Sequence, residues 1–256
     1  GVVLGLSGGI DSALVATMAA DAIGGSNVWG LSMPSMYSSS GSKDDAADLA
    51  ANLGAHYEIQ PIEPLFQAFQ KQLDLQGIAA ENLQARMRGV LVMAYSNSHG
   101  LLALATGNKS ELACGYSTIY GDAVGGYAPI KDVLKTKVWQ LAKWRNSYAL
   151  GKGQVPPIPV NSILKPPSAE LRPGQKDSDS LPEYELLDQV LASYIEKAHG
   201  RADLLKDGFD PETVDTVMRL VDKAEWKRRQ YPLGPKVTAL AFGRDRRLPV
   251  TSAFRE

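Results

Sequence analysis

Cysteine is almost absent from this chain: Cys114 is the only one among 256 residues. An intrachain disulfide is therefore excluded, and the usage fits a reducing, cytoplasmic setting. No apolar run is long enough to read as a membrane span, and no basic segment leads into an apolar one at the start. Charge of one sign is lacking too, with 27 Lys and Arg against 28 Asp and Glu. A net charge of −1 provides no broad field for nucleic acid or an anionic membrane, so neither is expected as a partner. The three histidines, His56, His99 and His199, lack metal-ligand spacing. No long internal repeat is visible. There is no initiator methionine, and Gly1 stands inside an apolar run. The expectation is a piece of a longer chain.

What is present is an ordinary globular composition, 44% apolar, enough for a sizeable core. The length suits one large domain or two small ones. Strand and helix signals alternate through the first 130 residues. Val2 to Leu6, Val28 to Met33, His56 to Ile59 and Leu101 to Thr106 read as strands. Ser12 to Ile23, Asp44 to Leu53, Leu65 to Leu73 and Asn82 to Ser98 read as helices. The pattern predicts an α/β fold, a doubly wound parallel sheet with flanking helices over residues 1–150. Residues 151–256 change character. A stretch rich in proline, glycine and serine runs to about Leu181 and reads as a long functional loop. Helices follow over Pro182 to Glu196 and Pro211 to Arg229, then a basic tail. Together they are expected to form a C-terminal helical, lid-like extension without a second core.

The opening segment, GVVLGLSGGIDSALVATMAA, places a glycine turn between a strand and a helix. Backbone N–H groups at a helix N-terminus make an anion site without any basic side chain. Gly8 and Gly9 allow a sharp turn and close approach of phosphate oxygens, and Ser7 and Ser12 add hydroxyl groups. The Walker lysine and the G-x-G-x-x-G pattern are both missing, which excludes a P-loop NTPase and a Rossmann dehydrogenase by motif. Asp11 stands inside the phosphate loop. It makes chemical sense if Mg²⁺ lies between its carboxylate and a phosphate, since the ion reverses the local electrostatics. A helix cap is the bland alternative.

SGGIDS, Ser7–Ser12, resembles the signature of the N-type ATP pyrophosphatases, which cleave ATP between the α and β phosphates and adenylate a substrate. The segment from Glu81 to Trp139, the loop PPSAELRPGQKDSDSLPEY and the tail KRRQYPLGPK with FGRDRRLP resemble the NAD synthetase family, the glutamine-dependent form most closely. The resemblance covers essentially the whole chain. It implies an adenine nucleotide alpha-hydrolase-like fold. It also implies ATP-dependent amidation of deamido-NAD to NAD by ammonia through an adenylated carboxylate, with release of AMP and pyrophosphate. The implied cofactors are ATP and Mg²⁺.

By the same resemblance, Asp11 and Glu111 hold Mg²⁺, and Lys135 grips the ATP phosphates. Ser7, Gly8, Gly9, Ser12 and Thr106 belong to the ATP site. Asn82 and Arg86, four apart and so on one helix face, are implied to meet deamido-NAD. Asp122 orients substrate or ammonia, Tyr116 lines the dinucleotide pocket, and Lys227 and Lys236 take substrate phosphates. Each has a plainer alternative: a cap, a solvated surface group or a core side chain. One departure stands at Met36, near which relatives are expected to carry arginine. Cys114 lies in an apolar patch with no histidine nearby and reads as a packed, inert thiol. The sequence thus shows no glutaminase of its own, and the resemblance to the glutamine-dependent form implies one on a missing N-terminal part of the chain. The resemblance implies a homodimer, and the Asn82–Ser98 helix is expected at or near its contact because that helix is apolar over a wide arc. Another adenylating amidotransferase synthetase of the superfamily, or a non-catalytic nucleotide-binding regulator, remains the alternative.

Overall fold

The computed structural model describes residues 1–251. Strand β1, Val2–Gly5, is central, because its side chains are buried on both faces of the sheet. Val3 enters one apolar cluster and Leu4 the other, the alternation a pleated strand imposes. Strands β2 (Val28–Ser32), β3 (His56–Ile59) and β4 (Leu102–Ala103) all run parallel to it, in the order β3-β2-β1-β4. The register pairs Val2 with Val28 on one side and with Leu102 on the other. Beyond β4, Leu104 bridges to Tyr127 and Tyr127 to Leu233, so single parallel bridges prolong that edge of the sheet.

Helices α1 (Ile10–Ile23) and α2 (Ser40–Leu53) follow β1 and β2 and cover one face. Helices α3 (Glu63–Leu73) and α4 (Ile78–His99) follow β3 and cover the other, where Ile62, Met87 and Val92 pack on Val3 and Leu31. Strand order therefore reverses between β1 and β4. That topological switch point is where open α/β sheets bind ligands, outside the carboxyl ends of the strands. The loop after β1 and the short helix α5 (Lys109–Cys114) after β4 both lie there.

Helix α6, Lys135–Gly151, returns to the first face through Val138 and Ala142. It has no place in the sequence reading, because its apolar residues are scattered around the helix instead of forming a stripe. The long loop also holds a short helix, α7 (Val160–Leu164). The expected helix from Pro182 to Glu196 forms as α8, Tyr184–Leu191, followed by one π-helical turn over Ala192–Glu196. After α9 (Arg201–Lys206), the last predicted helix divides into α10 (Pro211–Lys223) and α11 (Glu225–Arg228).

One expectation for the C-terminal half needs correction. Residues 151–256 were read as having no core of their own, but α8, α9 and α10 build a third apolar cluster from residues such as Leu187, Val190, Leu204, Val217 and Val221. Each of these five is fully buried. Leu112, Ala113 and Cys114 of α5 belong to the same cluster, which ties it to the switch point. Among the described residues no helix is long and apolar enough to cross a membrane.

Candidate active site

The loop after β1 doubles back before α1 begins. Gly8 permits this: its φ is +76°, and a Cβ there would lie 2.2 Å from the Ser42 carbonyl oxygen. The Ser7 hydroxyl accepts from the Gly9 N–H at 3.2 Å, and the Ser12 hydroxyl donates to the Gly9 carbonyl at 3.0 Å. From behind, Ser162 of α7 donates to the Gly8 carbonyl at 2.9 Å. Gly9 precedes α1 without any side-chain cap. The first-turn N–H groups and the positive end of the helix are thus left for a ligand. Ser7, Gly9, Asp11, Ser12 and, across from them, Thr106 wall a cavity of about 300 Å³.

Asp11, Glu111 and Lys135 meet in that cavity. Asp11 pairs with the Lys135 ammonium, whose Nζ also lies 3.3 Å from Glu111 Oε1. Asn108, which sequence reasoning missed, organises both acids. Its Nδ2 donates to Asp11 Oδ1 at 2.8 Å. Its Oδ1 accepts from the Glu111 N–H at 3.0 Å, while Glu111 Oε2 accepts from the Asn108 N–H at 3.3 Å. This reciprocal cap of α5 holds Glu111, and the other end of the same amide holds Asp11.

Lys135, at the start of α6, is only 2% exposed. Its ammonium lies 5.3 Å from the Tyr184 ring centre and 5.7 Å from that of Trp139. Asp188 of α8 accepts from the Thr136 N–H at 2.7 Å and from the Ser110 hydroxyl, which in turn accepts from the Lys135 N–H at 2.9 Å. The C-terminal helices thereby fix the end of α6 that presents Lys135.

The charges explain the protonation. Burial pushes the Glu111 carboxyl up to about 8, the Asp11 charge adds to this, and Lys135 opposes it. For Lys135, burial works against the charged form, yet the Asp11 and Glu111 carboxylates outweigh it and raise the pKa above the ordinary lysine value. With both acids ionised, a single ammonium leaves the trio short of positive charge. A hard divalent cation fits that deficit and the oxygen donors of Asp11 and Glu111. Among the described residues no group of three or more His, Cys, Asp or Glu side chains could hold a metal. The two acids would therefore share the ion with the phosphates of a ligand, as Mg²⁺ sites commonly do.

Tyr116 and Asp122 wall the same cavity. Asp122 accepts from the Thr118 N–H at 2.8 Å, and burial raises its pKa. Four other residues expected at the substrate stand outside this cavity. Asn82 accepts from the Thr118 hydroxyl at 2.7 Å, and Arg86, exposed, donates to the Ile119 carbonyl at 3.4 Å. Both therefore brace the turn that carries Asp122. Lys227 donates to the Gly115 and Ser117 carbonyls at 2.6 and 2.7 Å. Lys236 pairs with Asp245 at 2.7 Å.

The cavity has further walls, several of them from the long loop read as functional, whose individual residues the sequence did not single out. Residues 165–171 cross it. Lys165 reaches Asp45 at 3.2 Å, and the Glu170 carboxylate accepts from the Ser39 and Ser42 hydroxyls at 3.0 and 2.8 Å. Arg88 and Asp177 also face the cavity. Met36 is exposed and Cys114 is buried, with its thiol pushed up to about 12 by burial. That thiol is not a nucleophile near neutral pH.

An open parallel sheet with a lysine-free SGG loop and paired acids at its switch point defines a domain with the adenine nucleotide alpha-hydrolase-like fold. Residues 1–231 match the family described as NAD synthase. The chain belongs to the NAD synthase family. It is 50% identical to a glutamine-dependent NAD(+) synthetase of Acinetobacter baylyi, over 100% of this chain and 48% of that protein. It is similar to the solved glutamine-dependent NAD+ synthetase of Acinetobacter baumannii in complex with ADP, with 46% identity and a TM-score of 0.62 over 98% of this chain and 45% of that one. It is also similar to the NH3-dependent NAD synthetase of Campylobacter jejuni, with 32% identity and a TM-score of 0.70 over 89% of this chain and 86% of that one. The chain spans about half the length of the curated relatives it matches.

Proposed function

We propose that this chain catalyses the ATP-dependent amidation of deamido-NAD to NAD. The observation that carries the reading is the trio of buried Lys135 with half-buried Asp11 and Glu111 beside the uncapped N-terminus of α1. ATP phosphates lie on the α1 N-terminus, with Ser7 and Ser12 supplying hydroxyl contacts. The nicotinate carboxylate of deamido-NAD attacks the α-phosphorus and pyrophosphate leaves, giving an acyl adenylate. Ammonia attacks the acyl carbon, loses a proton and expels AMP. Lys135 offsets charge that develops on the departing pyrophosphate. Mg²⁺, held by Asp11 and Glu111, would neutralise phosphate charge as a Lewis acid. Asp122, on its braced turn, orients the carboxylate or the incoming nitrogen, and Tyr116 packs beside the dinucleotide. Asn82 and Arg86 act through that turn or at its outer rim. Lys227 and Lys236 reach substrate phosphates by exchanging the carbonyls and the Asp245 carboxylate that hold them in the free chain. The expected compartment is a reducing, ATP-supplied cytoplasm.

The solved Campylobacter relative is described as NH3-dependent and the Acinetobacter proteins as glutamine-dependent. Where glutamine is the donor, we assign its hydrolysis to a separate domain, because the only thiol in this sequence is buried and inert. Incubated with MgATP and deamido-NAD, the chain is expected to form NAD and AMP with ammonium and not with glutamine alone. NAD formed from glutamine alone would refute that assignment.

A homodimer is part of the same proposal. Ile78 and Val90 of α4 are 75% and 65% exposed, and Leu65, Phe69 and Leu73 form an exposed row on the adjoining α3. Light scattering is expected to read twice the chain mass. A fully active monomer at micromolar concentration would remove α4 from any subunit contact.

A further inference from the structure

Four cationic side chains line the cavity: Lys43, Arg88, Lys135 and Lys165. Three are accounted for. Lys135 is held by Asp11 and Glu111, Lys165 reaches Asp45 at 3.2 Å, and Lys43 is exposed at the rim. Arg88 differs from all of them. It projects from α4, is partly buried, and makes one hydrogen bond, from Nε to the Met33 carbonyl at 3.0 Å, just past the end of β2. Among the described residues no carboxylate lies within ion-pair distance of its guanidinium, and neither terminal nitrogen donates to a protein acceptor. Glu170, the acid facing it from the crossing loop, is instead taken by Ser39 and Ser42. Asp122, the other acid near it, accepts from the Thr118 N–H. Burial lowers the Arg88 pKa to about 10, and the Glu170 and Asp122 charges recover only part of that loss. Burial of a cation without a paired anion is costly, and it persists where a ligand supplies the anion.

We propose that the two terminal nitrogens of Arg88 bind an anionic oxygen pair of a bound substrate, a phosphate group of either ATP or the dinucleotide. A planar fork suits two phosphate oxygens better than an ammonium does. The carbonyl of Met33 fixes Nε and so holds the fork at the cavity wall, with α4 as the rigid support. This inference rests on the functional reading above.

Calorimetric titration of MgATP and of deamido-NAD, each alone, into wild type, Arg88→Gln and Arg88→Lys tests it. Glutamine places an N–H where Arg88 Nε stands, so the tie to Met33 is kept while the fork is lost. Arg88→Gln is expected to weaken one ligand about 10- to 100-fold, the range for losing hydrogen bonds to a charged group. Arg88→Lys is expected to recover part of that loss through its charge. The ligand that weakens identifies the phosphate bound. Unchanged affinities for both ligands would overturn the proposal. A lowered melting temperature with unchanged affinities would overturn it too, by reducing Arg88 to a strut between α4 and β2. If wild type binds neither ligand, the functional reading itself fails, and the Arg88 proposal with it.

Discussion

Asp11→Asn is expected to reduce NAD formation by about 1,000-fold, the upper end of the cost of removing one preorganised electrostatic group. The change is nearly isosteric and leaves an oxygen to accept from Asn108, as Asp11 Oδ1 does at 2.8 Å. It also leaves one acid, Glu111, opposite Lys135. Charge near the phosphates falls by one unit, and with it the attraction for a divalent cation. The fold should survive, because Asp11 stands at the cavity wall and not in either sheet-face cluster. A melting temperature close to wild type, together with lost turnover, is the expected pair of results. Near-normal activity at millimolar Mg²⁺ would remove Asp11 from metal binding.

Lys135→Met is expected to cost both activity and stability. Methionine suits the apolar surroundings made by Trp139 and Tyr184, so the loss is one of charge and not of packing. Removing one partner of a buried ion pair costs about 3–5 kcal/mol, because the other is left uncompensated. Glu111 sets the pH dependence. Its folded-state pKa, about 8, lies above the ordinary carboxyl value of 4.5, and Lys135 is the charge holding it down. Without Lys135 it rises further. The folded state then binds more protons than the unfolded chain above pH 4.5 or so, and stability falls as pH rises through that window. The deficit of Lys135→Met relative to wild type should therefore be larger at pH 9 than at pH 6, as read by thermal melts. A deficit independent of pH would contradict the coupling between Lys135 and Glu111. In turnover the same variant should lose about 10²–10³-fold, as for other groups that stabilise a developing charge.

The parts of the site that rest on local backbone chemistry were legible in the sequence. SGGIDS encodes its turn, its hydroxyls and its helix start within six residues; the turn forms at Gly8, and α1 begins at Ile10, two residues before the expected Ser12. Glu111 and Lys135 were assigned by resemblance alone, since nothing local says that residues 24 apart will share an ion pair. Asn108 left a readable trace: Asn followed three residues later by Glu is a capping signature, and it would have found α5 as well. Arg88 left none. Its role emerges only when α4 packs on β1 and β4 and brings its Nε to the Met33 carbonyl. The surroundings of the basic tail were hidden for a related reason. Lys227 and Lys236 look free in sequence, but folding gives them carbonyls and an aspartate from distant or intervening loops.

The central claim is that the nicotinate carboxylate attacks the α-phosphorus of ATP before nitrogen is installed. The most direct measurement uses deamido-NAD labelled with ¹⁸O in both carboxylate oxygens, with MgATP and ammonium, and mass spectrometry of the products. One labelled oxygen is expected in the phosphate of AMP and the other in the amide of NAD, with unlabelled pyrophosphate. Unlabelled AMP, or ADP and labelled inorganic phosphate in its place, would contradict the account.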